Sequence, residues 1–338
     1  MQRILIVGSG SIGKRHLSTA RNRFPGSQIF LLAQFSGSNV LNPLADFISS
    51  SVDEALSFAP ELAIIANPSP FHCTIADKLC VIGCKLLIEK PLSSCFAEAI
   101  SFVEASKKYA VDCQVAYNLR HLSSLQAFRK SIRNNVIGNV LSVRSSVGQY
   151  LPEWRKNTDY RKGVSARQDL GGGVLLELSH EIDYIQWIFG EVAWVTAHLS
   201  NISDLDVDVE DSAFLTMGIL NSSNHETIVS LTMDFVRRDS HRTCCAIGDR
   251  GTLIWDGLSG LTNLYDPSLG RWLIHDQSFE PMSQTYEKQF DYLVSNNAQS
   301  NDIHCDLEFA LKTLAVIEAA RLSSANNCSK ISLKSLFV

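Results

Sequence analysis

Three short clusters in this chain combine residue types and spacings that can do chemistry. The first is Gly8-Ser9-Gly10-Ser11-Ile12-Gly13. Glycines at these intervals let a strand turn sharply into a helix and let a pyrophosphate approach bare backbone, with the helix N-terminus offering unpaired N–H groups to the phosphates. Gly8, Gly10, Ser11, Ile12 and Gly13 are therefore candidate cofactor contacts. The second cluster lies at two strand ends, Asn67-Pro68-Ser69-Pro70-Phe71-His72 and Glu89-Lys90-Pro91. Ligands of doubly wound sheets sit at the carboxyl ends of strands, so Asn67, Pro68, His72, Glu89 and Lys90 are candidate contacts as well. The third is Glu177-x-x-His180-x-x-Asp183. An imidazole titrates near neutrality and can move a proton, although a histidine on an apolar helix face is more often a satisfied core residue. The same trio has metal-binding residue types, but no further ligand cluster stands beside it, and no metal site is expected.

These clusters need elements to position them. Ile4 to Val7 is a short apolar run of the kind buried on both faces of a parallel sheet, and the pattern from Ser11 to Arg23 is helical. This strand, tight turn and helix are the context a dinucleotide fingerprint requires. Runs at 28–33, 61–66, 85–88 and 111–116 read as further buried strands, with helical segments at 53–58, 73–82 and 97–109. Alternation of this kind predicts a parallel α/β sheet of Rossmann type over 1–120. After the second strand an Asp or Glu that binds the ribose 2′-hydroxyl is expected in an NAD site. Gln34 stands there, which removes the repulsion against a 2′-phosphate and leans the expectation from NAD slightly toward NADP, with Lys14 and Arg15 within possible reach.

The remainder, 121–338, reads as an α+β domain for substrate binding and oligomerisation. Residues 126–134 are helical and 140–146 a strand. The stretch from Gly148 to Arg161 is aromatic and basic without a clean period, and such loops are often functional. Trp154, Tyr160 and Arg161 are candidate contacts for a sugar ring or a phosphate-bearing ligand. Leu175 to Phe189 reads as one amphipathic helix. From Val192 to Trp255 the period becomes two, which predicts a large, mostly antiparallel sheet packed on that helix. Helices at 286–295 and 307–323 close the chain.

The chain has 338 residues, 45% hydrophobic and 19% charged, with a formal net charge of -5. This is ample for two cores and carries no basic footprint for nucleic acid. No apolar run reaches the roughly 18 residues of a membrane span, and the opening strand does not read as a signal peptide. Nine cysteines without a C-x-x-C pair point to neither a disulfide framework nor zinc, and a reduced cytoplasmic protein is expected.

The segments GSGSIGKRH, NPSPFH, EKP, YNLR and LGGGVLLELSHEIDYIQWIFG, with GDRGTLIWDG and FALKTLAVIEAARLSS downstream, resemble the Gfo/Idh/MocA oxidoreductases, a family that includes glucose-fructose oxidoreductase and inositol dehydrogenase. The resemblance implies an NAD(P)-dependent dehydrogenase or reductase acting on a hydroxyl or keto carbon of a sugar, a nucleotide-linked sugar or a cyclitol. Lys90, His180 and Asp183 are then catalytic, His180 as acid/base and Lys90 polarising the substrate oxygen. Asn118 becomes a cofactor contact, and Arg120, Glu177 and His180 substrate contacts. Relatives usually place the acid four residues before the histidine; Glu177 stands three before His180, and on one helix both spacings share a face. The resemblance also implies a homodimer or homotetramer formed through the C-terminal sheet. Two alternatives remain open at this level: a hydrolase or lyase that retains NAD for a transient oxidation, and a non-catalytic dinucleotide-sensing regulator.

Overall fold

The computed structural model describes residues 1–33, 42–155, 158–220, 226–295 and 302–337. Strands and helices alternate through β1 (Arg3–Val7), α1 (Ser11–Arg23), β2 (Gln28–Leu32), β3 (Phe47–Ser49), α2 (Val52–Ser57), β4 (Leu62–Ile65), α3 (His72–Val81), β5 (Lys85–Ile88), α4 (Phe96–Ser106) and β6 (Cys113–Val115). The strands pair in parallel in the order β3-β2-β1-β4-β5-β6. Chain order reverses direction between β1 and β4, which makes their carboxyl ends the switch point of the sheet. β4 is buried along its whole length, and β1, β2 and β5 are buried except at their first residues. Burial on both faces is why each reads as a continuous apolar run. β3 departs from the expected pattern. It is a three-residue edge strand with Phe47 and Ile48 exposed, so it has neither length nor alternation to betray it.

The chain continues through α5 (Ser123–Arg133), β7 (Val140–Gly148), α6 (Val174–Glu177), α7 (His180–Phe189), β8 (Val192–Ser200), β9 (Ser212–Leu220), β10 (Glu226–Asp234), β11 (His241–Gly248), β12 (Thr252–Asp256), β13 (Leu261–Asp266), β14 (Arg271–Gln277), α8 (Met282–Val294), α9 (Leu307–Ala325) and β15 (Ile331–Ser332). A nine-stranded sheet runs β14-β13-β12-β11-β7-β10-β9-β8-β15. Only β7 and β10 pair in parallel; every other pairing is antiparallel. α7 is fastened to one face of this sheet, with Tyr184 Oη 2.6 Å from Ser145 Oγ on β7 and Arg242 Nε of β11 donating to Glu181 at 2.7 Å. Among the described residues no helix is long and apolar enough to cross a membrane.

The chain forms two compact units, one of 1–118 with 283–311 and one of 119–282 with 312–338. A single boundary near residue 120 therefore does not describe it, because the chain returns to the first unit through most of α8. Phe290 and Leu293 explain the return. Both are fully buried in the core that holds Ile4, Ile6, Leu17, Ile29 and Leu62. Phe290→Ala should cost the first unit ~3–5 kcal/mol, read as a lowered urea midpoint. A change no larger than that of a surface substitution would contradict this placement.

Candidate active site

The first unit presents a cradle at the carboxyl ends of β1 and β4. Gly8 has φ +104°, and a Cβ there would lie 2.6 Å from Ala66 O. A Cβ on Gly13 would overlap the carbonyl oxygen of Gly8, whereas a Cβ on Gly10 would meet nothing within 4 Å. Backbone thus packs on backbone at both ends of the turn and leaves open space in the middle. Gly10 caps α1 without a side-chain hydrogen bond, and no acid stands in the first turn. The first N–H groups of the helix therefore face that space with the positive end of the helix dipole behind them. Next to it, Asn67 Oδ1 and Ser69 Oγ are buried and bond to no described residue. Buried polar atoms normally find partners. Open space, helix N–H groups and two polar atoms without partners fit a dinucleotide held by the glycine turn, Asn67 and Ser69.

His72, Glu89 and Asn118 direct polar groups into the fold. His72 is buried, with Nε2 2.8 Å from Asn67 O and Nδ1 3.0 Å from Pro91 O. It lies between the turn after β4 and the turn that carries Lys90, and its neutral form, with one N–H, donates to one of the two carbonyls. Burial, the largest influence, pushes the pKa of this imidazole below its usual value despite the two carbonyls. Glu89 Oε1 contacts His16 Nε2 at 2.6 Å, and Oε2 accepts from the Lys90 backbone N–H at 3.2 Å. Asn118 Nδ2 donates to Thr285 Oγ1 on α8 at 2.7 Å. Lys90 itself is half-buried. The Arg15 guanidinium lies 4.7 Å from the Tyr286 ring centroid, and Lys14 is exposed. Gln34 lies outside the described residues.

In the second unit the expected single helix is two. α6 ends at Glu177, Leu178 departs from helical geometry at φ −100° and ψ 22°, and Glu181 N reaches back only three residues to Leu178 O at 3.1 Å. Glu177 and His180 therefore stand on opposite sides of a break, and a shared-face argument from continuous helix does not hold for them. Both are half-buried. The Glu210 carboxylate accepts from Leu175 N at 3.1 Å at the start of α6, and burial raises its pKa. Asp183 and Arg120 are each about 1% exposed and pair through two bonds, Nε to Oδ2 at 3.0 Å and Nη2 to Oδ1 at 2.7 Å. Their charged groups meet each other, which makes the pair a brace for α7 rather than a pair of surface contacts.

Trp154 and Tyr160 line a pocket of about 480 Å³ together with Leu151, Asp159, Lys162 and Ser165. Trp154 donates to Gln149 O at 3.0 Å and meets Phe235 edge-on at 5.1 Å. Tyr160 Oη accepts from Asp206 N at 3.1 Å. The Arg161 guanidinium is committed to Asp159, at 2.8 and 3.0 Å. Sequence reasoning passed over His16, Ser69, Glu210, Thr285 and Tyr286. Two left a signal: Ser69 lies within the turn of 67–72, and His16 falls with Gly13, Leu17 and Ala20 on one buried stripe of α1.

A turn of this build at the switch point of a parallel sheet has the geometry of a dinucleotide-binding fold. A profile described as oxidoreductase family, NAD-binding Rossmann fold, matches residues 2–117, and one described as the GFO/IDH/MocA C-terminal domain matches residues 125–254. The chain belongs to the Gfo/Idh/MocA family. It is 26% identical over 198 residues to glucose-6-phosphate 3-dehydrogenase of Bacillus subtilis, covering 56% of this chain and 54% of that protein. It is 30% identical over 138 residues to levoglucosan dehydrogenase of Pseudarthrobacter phenanthrenivorans, covering 40% of this chain and 35% of that one. The chain thus matches about half, or less, of the length of these curated relatives. The WlbA dehydrogenase of Bordetella pertussis, solved with NADH and UDP-GlcNAcA, shares the fold with a TM-score of 0.78 at 19% identity over 98% of both chains.

Burial pushes the His72 pKa below its ordinary 6.5 in the folded chain, so the unfolded chain binds more protons as the pH falls below that value. Its contribution to stability is complete above 6.5 and declines as pH falls toward the depressed folded value. Urea midpoints should drop below pH 6.5, and His72→Gln should flatten that part of the profile. An unchanged slope in the variant would contradict the assignment.

Proposed function

We propose that this chain is an NAD(P)-dependent oxidoreductase acting on a hydroxyl- or keto-bearing carbon of a sugar, a nucleotide-linked sugar or a cyclitol. The observation that carries the reading is the cradle of the first unit, where open space at Gly10 meets the buried polar atoms of Asn67 and Ser69, with Lys90 on the turn that lies across His72 from Asn67. The names of the two relatives, both dehydrogenases of sugars or sugar derivatives, support the substrate class.

A bound nicotinamide supplies the hydride chemistry. Lys90 polarises the substrate oxygen with its ammonium group. His180, half-buried at the head of α7, takes or returns the hydroxyl proton. Asp183, through Arg120, fixes the helix on which His180 sits. Trp154 and Tyr160 offer faces against which a sugar ring stacks, and Glu177 supplies a hydrogen-bond acceptor. Gln34, in place of an acid, admits a 2′-phosphate, which keeps the lean toward NADP.

The sheet face opposite α7 carries half-buried Trp194 and Thr216 with exposed Phe214 and Ile228. A second copy of the chain covers this face in our reading, giving a homodimer or homotetramer. Light scattering should report an oligomer that Phe214→Asp weakens; a wild-type monomer at micromolar concentration would contradict it.

The reading is tested by following nicotinamide absorbance against a panel of sugars, nucleotide sugars and cyclitols. His180→Ala should lower turnover of the responding substrate by about 100-fold or more while dinucleotide affinity stays within a few-fold. Equal turnover would overturn the role of His180. Product formed without net nicotinamide reduction would assign a transient oxidation instead.

A further inference from the structure

We infer that His16 is a positioning residue for Lys90, acting through Glu89; the inference rests on the dinucleotide reading above. His16 sits on the buried stripe of α1, one turn beyond Gly13. Its Nε2 meets Glu89 Oε1 at 2.6 Å although the two residues are 73 positions apart. The other carboxylate oxygen accepts from the backbone N–H of Lys90 at 3.2 Å. Both side chains are buried, His16 at 1% and Glu89 at 8% exposure. A buried carboxylate must have its oxygens satisfied, and here one is held by His16 and the other by Lys90.

The imidazole has little freedom to swing away. Tyr286 of α8 meets it edge-on at 5.8 Å, and the same Tyr286 ring lies under Arg15. His16 Nδ1 bonds to no described residue, so Glu89 is the ring's one hydrogen-bond partner among them. The helix whose first N–H groups face the open space at Gly10 is thereby joined to the turn that carries the Lys90 amine. A dinucleotide that settles on α1 acts on the element that fixes Lys90, and its occupancy is felt at the amine. A purely structural ion pair predicts something else: lower stability when it is broken, with the behaviour of Lys90 unaltered in the folded protein.

The test needs no identified substrate. Lysines of the full chain are reductively methylated with isotope-labelled formaldehyde, and the Lys90 dimethylamine signal is assigned by its loss in Lys90→Arg. NADH is then titrated while that signal and nicotinamide fluorescence are followed. In wild type the signal shifts as NADH saturates. His16→Phe keeps a ring of similar shape without a donor. It should bind NADH within about threefold of wild type, yet lose most of the NADH-induced shift at Lys90. His16→Gln, which restores an N–H donor, should recover it. Should His16→Phe not fold, Glu89→Gln is read at Lys90 alone and should also lose most of the dinucleotide-induced shift there, because an amide cannot accept from both His16 and Lys90 N–H with its two terminal atoms. A wild-type response at Lys90 in His16→Phe or Glu89→Gln overturns the inference, as does a His16→Gln variant that behaves like His16→Phe. Where wild type binds only NADPH, NADPH is the titrant; failure of wild type to bind either form overturns the dinucleotide reading itself, and this inference with it.

Discussion

Backbone meets backbone at the end of β1 more closely than any side chain permits. Residue 13 must be glycine, because a Cβ there would overlap Gly8 O, and Gly8 holds φ +104° against Ala66. Much of the first unit follows from that approach. Because α1 starts flush against its own strand, the residue one turn on, His16, points into the fold rather than toward solvent. It reaches Glu89, whose second oxygen holds Lys90 N–H. His72 lies against the same turn from the other side, at Pro91 O. Opening the Gly8–Gly13 contact would therefore move the start of α1 and release one support of the lysine turn.

The second unit answers a different problem, which is how to hold a short helix on an open sheet with ionisable residues inside. Asp183 and Glu181 both point into the protein. Each meets an arginine, Arg120 for the first and Arg242 for the second. Buried ion pairs add little net stability, but loss of one partner leaves an uncompensated charge. Their value here is geometric, since they fix the rotation of α7. The break at Leu178 and Ser179 then sets Glu177 and His180 at an angle that continuous helix would not give.

Much of this was legible in the residues. α1 and β5 fall where periodicity put them, because strands buried on both faces leave unbroken apolar runs between glycine- and proline-marked turns. The large antiparallel sheet was announced by its period of two. What escaped was set by non-local contact. β3 is too short and too exposed to carry a pattern. α8 is an ordinary amphipathic helix whose sequence does not say which core it enters, and Phe290 and Leu293 decide that only in space. The kink before His180 has no proline or glycine to mark it. The pairings His16–Glu89 and Arg120–Asp183 join residues 73 and 63 positions apart, and single residues at such distance give no local signal. His72, Glu89 and Asn118 were recognised as residues of the cofactor half, but spacing could not say that they brace its loops with one another and with the backbone.

In the reading proposed above, the first unit is built around a nicotinamide dinucleotide. The most direct measurement is the absorbance spectrum of the purified protein together with a nicotinamide-fluorescence titration against NADH and NADPH. Saturable micromolar binding of at least one of them is expected, or nicotinamide retained through purification, with NADPH bound no more weakly than NADH. A protein that carries no dinucleotide and binds neither form would contradict it.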